Sequence, residues 1–151
     1  MNFDKYSDIS VSSDFLDFAF VSTGVKGDFN KLVKFSEFSN SNGIYNLALG
    51  TVLYDGTIDF VTPSRNGDRD KILATIGAIA YVFSEEYPNK MIFLKGDTIV
   101  KTRLYQMAIC KALDEINQTF SVYGLKVIND SYQDFPFEKG ENYDAFLFSR
   151  K

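Results

Sequence analysis

The feature that most constrains this chain is a change of hydrophobic period partway along it. From Phe15 onward apolar residues alternate with polar ones: Leu16, Phe18 and Phe20 share one side, and Val25, Phe29, Val33 and Phe35 interleave with Lys26, Asp28, Asn30 and Lys34. Alternation of this kind is the period of a half-buried strand. In the run DRDKILATIGAIAYVFSEEYP the period becomes helical, with Ile72, Ile76, Ile79 and Phe83 on one stripe and Leu73, Ala80 and Tyr87 beside it. Pro88 ends that helix, because it has no N–H to donate and its ring clashes with the preceding turn. A chain that opens as strands and then switches to helix, strand, helix must bury its helices against a sheet.

Turn chemistry supports this order. STGVKG separates the first two alternating runs, SNSNG at residues 39–43 follows them, and Asp55-Gly56 interrupts IYNLALGTVLYDGTIDFV. Gly and Asp-Gly between alternating runs are hairpin signals, so the first half reads as an antiparallel meander, with Tyr45, Leu47, Leu49 and Leu53 on its buried side. Gly77 inside the helix costs about 1 kcal/mol relative to Ala, and close packing on the sheet is its expected reason. MIFL then reads as a buried strand. TIVKTRLYQMAICKALDEINQTF reads as a second helix whose inner face is Val100, Leu104, Met107, Ile109, Leu113 and Ile116. The tail holds one strand around Val122, Leu125 and Val127, a loop SYQDFPFEKGEN, and a strand YDAFLFS. The expected architecture is α+β: a meander, helix-strand-helix, and a C-terminal strand pair in a mixed sheet with two main helices. Residues 1–14 read as an N-terminal arm and 15–151 as a single domain.

Residue inventory limits the chemistry. A chain of 151 residues can hide roughly 68–70% of its extended surface, so a real core is available, and 15 Phe with 9 Tyr are there to fill it. There is no His, which removes Ser/His/Asp, Cys/His and ordinary zinc chemistry. Catalysis would have to use carboxylates, Lys, Tyr, hydroxyls or backbone. The single cysteine, Cys110, forms no internal disulfide, and no N-terminal apolar run resembles a signal peptide or membrane span, so a cytoplasmic protein without membrane association is expected. The net charge is −4, yet residues 61–111 carry eight Lys/Arg against five Asp/Glu. A cationic middle in an acidic chain points to a small anionic ligand and argues against general nucleic-acid binding.

The order meander, helix, strand, helix, strand resembles the central and C-terminal part of the Gcn5-related N-acetyltransferase fold, over residues 15–150. In that family the loop before the first of these helices holds a cofactor pyrophosphate through spaced glycines and helix N–H groups. The corresponding loop here is Arg65, Asn66, Gly67 and Asp68, followed by Asp70. Acidic side chains would repel a pyrophosphate at that point. They suit the start of an unliganded helix instead, where Asp68 or Asn66 can cap and Asp70 complements the dipole. A cation held by Asp68, Asp70 and Asp59 is a weaker alternative, and no metal ligand set is assigned.

The segment GDTIVKTRLYQ, residues 96–106, is the better-placed candidate. It follows a buried strand and opens a helix, so unpaired N–H groups near Thr98 lie at the carboxyl edge of that strand, where open sheets place ligands. Lys101 stands one turn on, with Lys95, Thr102 and Arg103 flanking it. Gly96 would let the backbone approach a ligand, Thr98 and Thr102 would hydrogen-bond it, and Lys101 and Arg103 would pair with an anion. Tyr105 serves as a packing residue or, in an acyltransferase-like enzyme, as an acid, a role Tyr143 could share. Asp97 either caps the helix and closes the site or must turn away for a ligand to enter.

The pieces YNLALG, SRNGDRDKILATIGAIAYVF, YP and GDTIVKTRLYQMAI resemble a family of short, uncharacterised proteins from Bacteroidota, classed as a domain of unknown function. The likeness spans most of the chain and includes Tyr45, Asn46, Asn66, Gly67, Asp68, Leu73, Ala74, Thr75, Gly96, Thr98, Thr102, Arg103, Leu104 and Tyr105. Asp97 stands where that pattern has Ser, and Lys101 where it has Arg. The resemblance brings no established activity with it, and the cofactor is left unassigned. The expected function is binding of a small anionic or nucleotide-like ligand at the strand-to-helix edge near residues 96–105. The alternative is a protein-interaction component of toxin–antitoxin or phage-defence type, acting as a homodimer or with a protein partner through aromatics such as Phe3, Phe135 and Phe137.

Overall fold

The computed structural model describes residues 4–151. Its strands are β1 Ser10–Val11, β2 Asp17–Gly24, β3 Gly27–Glu37, β4 Ile44–Val52, β5 Ile58–Asp59, β6 Met91–Leu94, β7 Phe120–Ile128, β8 Ser131–Pro136 and β9 Ala145–Arg150. The helices are α1 Arg69–Glu86, α2 Ile99–Lys111 and α3 Leu113–Thr119. The architecture is therefore α+β, with strands paired in both senses. Contacts divide the chain into two compact units: residues up to Ser36 with Leu47–Tyr87, and Glu37–Asn46 with Pro88–Lys151.

In the first unit the strand order is β1-β2-β3-β4, with β5 on β4. The glycine-bounded turn forms the predicted β2–β3 hairpin, in antiparallel register from Asp17↔Lys34 to Gly24↔Gly27. Phe18, Phe20, Val33 and Phe35 are buried together with Ile72, Ile76, Ile79 and Phe83 of α1. Phe35 stacks on Phe83 with ring centroids 4.0 Å apart, and each such buried side chain contributes roughly 1.5–3 kcal/mol. The helix ends where the Tyr87 N–H bonds back to the Phe83 carbonyl, one residue before Pro88. Several positions depart from the alternation. Val25 is 85% exposed and Leu53 is 45% exposed because both lie in turns. Gly77 lies on the exposed side of α1, so close packing is not its role.

In the second unit the order is β4-β6-β9-β7-β8. Strand β4 is parallel to β6 through Ile44↔Met91 to Asn46↔Phe93, and the other pairs are antiparallel. Three sequence expectations are corrected here. The segment after β7 is strand β8 rather than a loop, joined by a turn in which Asn129 and Asp130 have φ of 53° and 64°. Two successive left-handed residues make the tight hairpin turn whose twist suits paired strands. The second helix is also not continuous: it breaks at Ala112 into α2 and α3. Its inner face is Thr102, Gln106 and Ile109, whereas Val100 and Met107 are 70% and 54% exposed. The polar pair turns inward because both side chains find partners there.

Candidate functional site

The start of α2 is built from mutually satisfied groups. Thr98, not Asp97, is the N-cap, and its hydroxyl accepts from the Lys101 N–H at 3.1 Å. Thr102 is buried; its hydroxyl accepts from the Gly96 N–H at 3.2 Å and donates to the Thr98 carbonyl at 3.1 Å. A Cβ on Gly96 would fall 2.5 Å from both the Lys101 Cβ and the Thr102 N. The close approach that Gly96 permits is therefore that of its own helix. Asp97, just before the cap, forms an ion pair with Lys101 at 2.9 Å, and the first turn of the helix itself contains no acid.

Arg103 and Gln106 face the segment before β9. Arg103 donates to the Tyr143 carbonyl at 2.7 Å and to Gln106 Oε1 at 3.2 Å, and Gln106 donates to the Glu141 carbonyl. Tyr143 itself is 2% exposed, and its hydroxyl accepts from the Glu138 N–H at 3.0 Å. Tyr105 is half-buried; burial, and secondarily the Asp97 charge, raise its hydroxyl above the ordinary tyrosine range. The sequence-named residues are thus neighbours, with Thr98, Lys101 and Thr102 closing the helix start and Arg103 anchoring a distant loop.

The loop before α1 has a similar internal use. Asn66 is 2% exposed. Its side chain accepts from the Lys26 N–H at 2.7 Å and donates to the Gly27 carbonyl at 2.8 Å and to the Ser22 hydroxyl at 3.2 Å. Arg65 and Gly67 take left-handed φ of 50° and 79° around it. Asp68 occupies the N-cap position of α1 without capping by its side chain. Its Oδ2 instead accepts from the Ser22 and Tyr6 hydroxyls, while Oδ1 is buried and has no hydrogen-bond partner among the described residues. The expected cap is replaced by a clamp on the β2–β3 turn. Among the described residues no group of acids and Cys is arranged to hold a metal ion.

The geometry adds a feature that spacing did not indicate. An open groove of about 610 Å³ lies on one face of the second unit's sheet. Side-chain alternation puts Met91, Phe93, Leu147 and Leu125 on that face, and Ile92, Leu94, Phe146 and Val122 on the other. Phe93 meets Phe38 edge-on at 5.3 Å and Tyr132 at 5.6 Å. Phe93 is on β6 and Tyr132 on β8, three strand steps apart, which is about 14 Å in a flat sheet. The β7–β8 hairpin must therefore curl over the sheet face. Lys95, the residue after β6, donates to the Tyr132 hydroxyl at 3.1 Å, and Asp134 lines the same wall. The signal for this face was the alternation within MIFLK, where Met91, Phe93 and Lys95 point away from Ile92 and Leu94. The partners Phe38 and Tyr132 could not be found without the curl.

An α+β chain with a curled sheet and a concave aromatic face is the class of protein these features define. By sequence it belongs to the family of unknown function DUF6934, whose model matches residues 2–151. No curated protein and no solved structure matches it. No helix among the described residues is long and apolar enough to cross a membrane.

Proposed function

We propose that this protein is a binding domain for a small anionic, ring-bearing ligand of nucleotide type, with the ring in the sheet-face groove and the anion at the strand-to-helix edge beginning at Lys95. The observation that carries this reading is the groove itself. Its volume falls within the roughly 300–1,000 Å³ of small-molecule sites, and three aromatic rings line it beside a cation. Aromatic walls stack planar rings at about 1–3 kcal/mol per base. Lys95 uses one donor on Tyr132 and has two more for an anion. Beyond Lys95 the first turn of α2 contains no acid, and Asp97, which precedes the cap, is paired with Lys101. Calorimetric titration with nucleoside monophosphates, nucleosides and ribose phosphate tests it. Monophosphates should bind best, and Phe93→Ala and Lys95→Ala should each weaken them by roughly tenfold. Equal, unchanged titrations for parent and both variants would end the reading.

A second reading, protein interaction, is favoured by β8. It is the last strand of its order, exposed along its whole length, with Tyr132 and Phe135 showing 44% and 37% of their surface. A bare edge of this kind is a template for another strand, from a partner or a second copy. Phe137 is only half-exposed, and Phe3 lies outside the described residues. Solution mass measurement separates the readings: a stable dimer dispersed by Phe135→Lys supports this one. The acyltransferase-like reading draws on the parallel β4–β6 pair and the β6-β9-β7 order. Its candidate acid Tyr143 is spent on packing and loop bonds.

A further inference from the structure

We infer that the ring taken up in the groove is guanine, read by the carboxylate of Asp134; the inference rests on the groove being the ligand site. Asp134 is two residues from Tyr132 on β8, so both side chains share a face, and its register partner Leu125 lines the groove with it. Among the described residues its carboxylate meets no hydrogen-bond or ion-pair partner, since the neighbouring cation, Lys95, is directed to Tyr132. An ionised carboxylate only accepts, so the ligand edge facing it must present N–H donors, and two adjacent donors would engage both oxygens at once. Of the common bases only guanine carries such a pair, its ring N1–H beside the exocyclic amino group. Adenine and cytosine set an amino group beside an acceptor nitrogen, and uracil sets one N–H between two carbonyls. Each of these brings a lone pair against the carboxylate.

The division of labour follows from the chemistry of each wall. Stacking on Phe38, Phe93 and Tyr132 tolerates every base and supplies affinity. Lys95 answers the phosphate as a point charge. Selectivity falls to Asp134, whose two acceptor oxygens match the adjacent donors of guanine and meet a lone pair in each of the other bases.

The test is titration of the full chain with the monophosphates of guanosine, adenosine, cytidine, uridine and xanthosine, for the parent and Asp134→Asn. The expected result is binding of guanosine monophosphate roughly tenfold or more tighter than the other four. Asp134→Asn should lose that preference and gain affinity for xanthosine and uridine monophosphates, whose N–H and adjacent carbonyl match an amide. Asp134 is exposed on a terminal strand, so the variant should keep the parent's circular dichroism and melting temperature. Binding of all bases alike, or a guanine preference that survives Asp134→Asn, overturns the guanine assignment and leaves the groove reading standing. Binding of none of them overturns both.

Discussion

Replacing Asn66 tests whether the loop before α1 is a structural clamp. Asn66→Ala removes three side-chain hydrogen bonds, to the Lys26 N–H, the Gly27 carbonyl and the Ser22 hydroxyl. At ~0.5–1.5 kcal/mol net for each, the loss is about 2–4 kcal/mol. Two considerations place it at the lower end. Lys26 and Gly27 are exposed, so water can replace the lost partner, and the Ser22 hydroxyl keeps its bond to Asp68. A loss of about 2 kcal/mol corresponds to a fall in Tm of about 4–8 °C for a chain of this size. The assay is thermal and urea unfolding by far-UV circular dichroism, since the chain has no Trp to report by fluorescence. Asn66→Asp sharpens the result. It keeps the acceptor for Lys26 but, when ionised, faces the Gly27 carbonyl with a like charge. Its carboxyl is held protonated more firmly folded than unfolded, so its deficit relative to the parent should shrink as pH falls through the carboxylate range. A Tm change below about 1 °C for Asn66→Ala would refute the reasoning.

Two other predictions concern packing and ionisation. Gly124→Ala puts a Cβ 2.2 Å from the Tyr143 ring, which is 2% exposed and has no room to retreat; a loss on the order of 3 kcal/mol in urea unfolding is expected from overpacking. For Tyr105 the folded pKa lies above the ordinary value of 10.0. Its contribution is therefore complete below pH 10.0 and lost as pH rises through the folded pKa. Tyr105→Phe should melt with a shallower alkaline decline than the parent above that point.

The elements that could be read from sequence were those whose signal is local. Ile72, Ile76, Ile79 and Phe83 announce α1 by spacing alone, and Pro88 marks its end. The glycines at 24 and 27 frame a hairpin for the same reason, that backbone conformation there depends on few residues. Strand β8 escaped because Asn129-Asp130 is a less familiar left-handed pair than Asn-Gly. The inner face of α2 escaped because Thr102 and Gln106 are polar, and only their partners, Gly96 and the 141–143 segment, make burial favourable. At the candidate site, the donors of residues 96–106 were legible as types, but whether each was already satisfied was not. The groove depends on sheet curl and on three aromatics from separate elements, and local periodicity carries no record of either.

Lys101 and Arg103 look interchangeable as cations in the sequence, but their surroundings give them different costs of release. Lys101 is held by Asp97 in a partly exposed ion pair, and exposed pairs are worth about 0–1 kcal/mol. An anion arriving at the start of α2 can take Lys101 from Asp97 at little cost. Arg103 holds the Tyr143 carbonyl at 2.7 Å and Gln106 at 3.2 Å, and charge-assisted bonds of this kind contribute about 1.5–3 kcal/mol each. Releasing Arg103 would also free the carbonyl of a residue whose side chain is fully buried. The two substitutions should therefore separate. Arg103→Ala should lower stability by roughly 3–6 kcal/mol without any ligand present, while Lys101→Ala should leave unfolding within about 0.5 kcal/mol of the parent. If Lys101→Ala also weakens monophosphate binding while Lys95→Ala weakens it further, the anion spans from the end of β6 into the first turn of α2. If Arg103→Ala binds poorly but unfolds like the parent, Arg103 is a ligand contact and the assignment of its role to the 141–143 anchor is wrong.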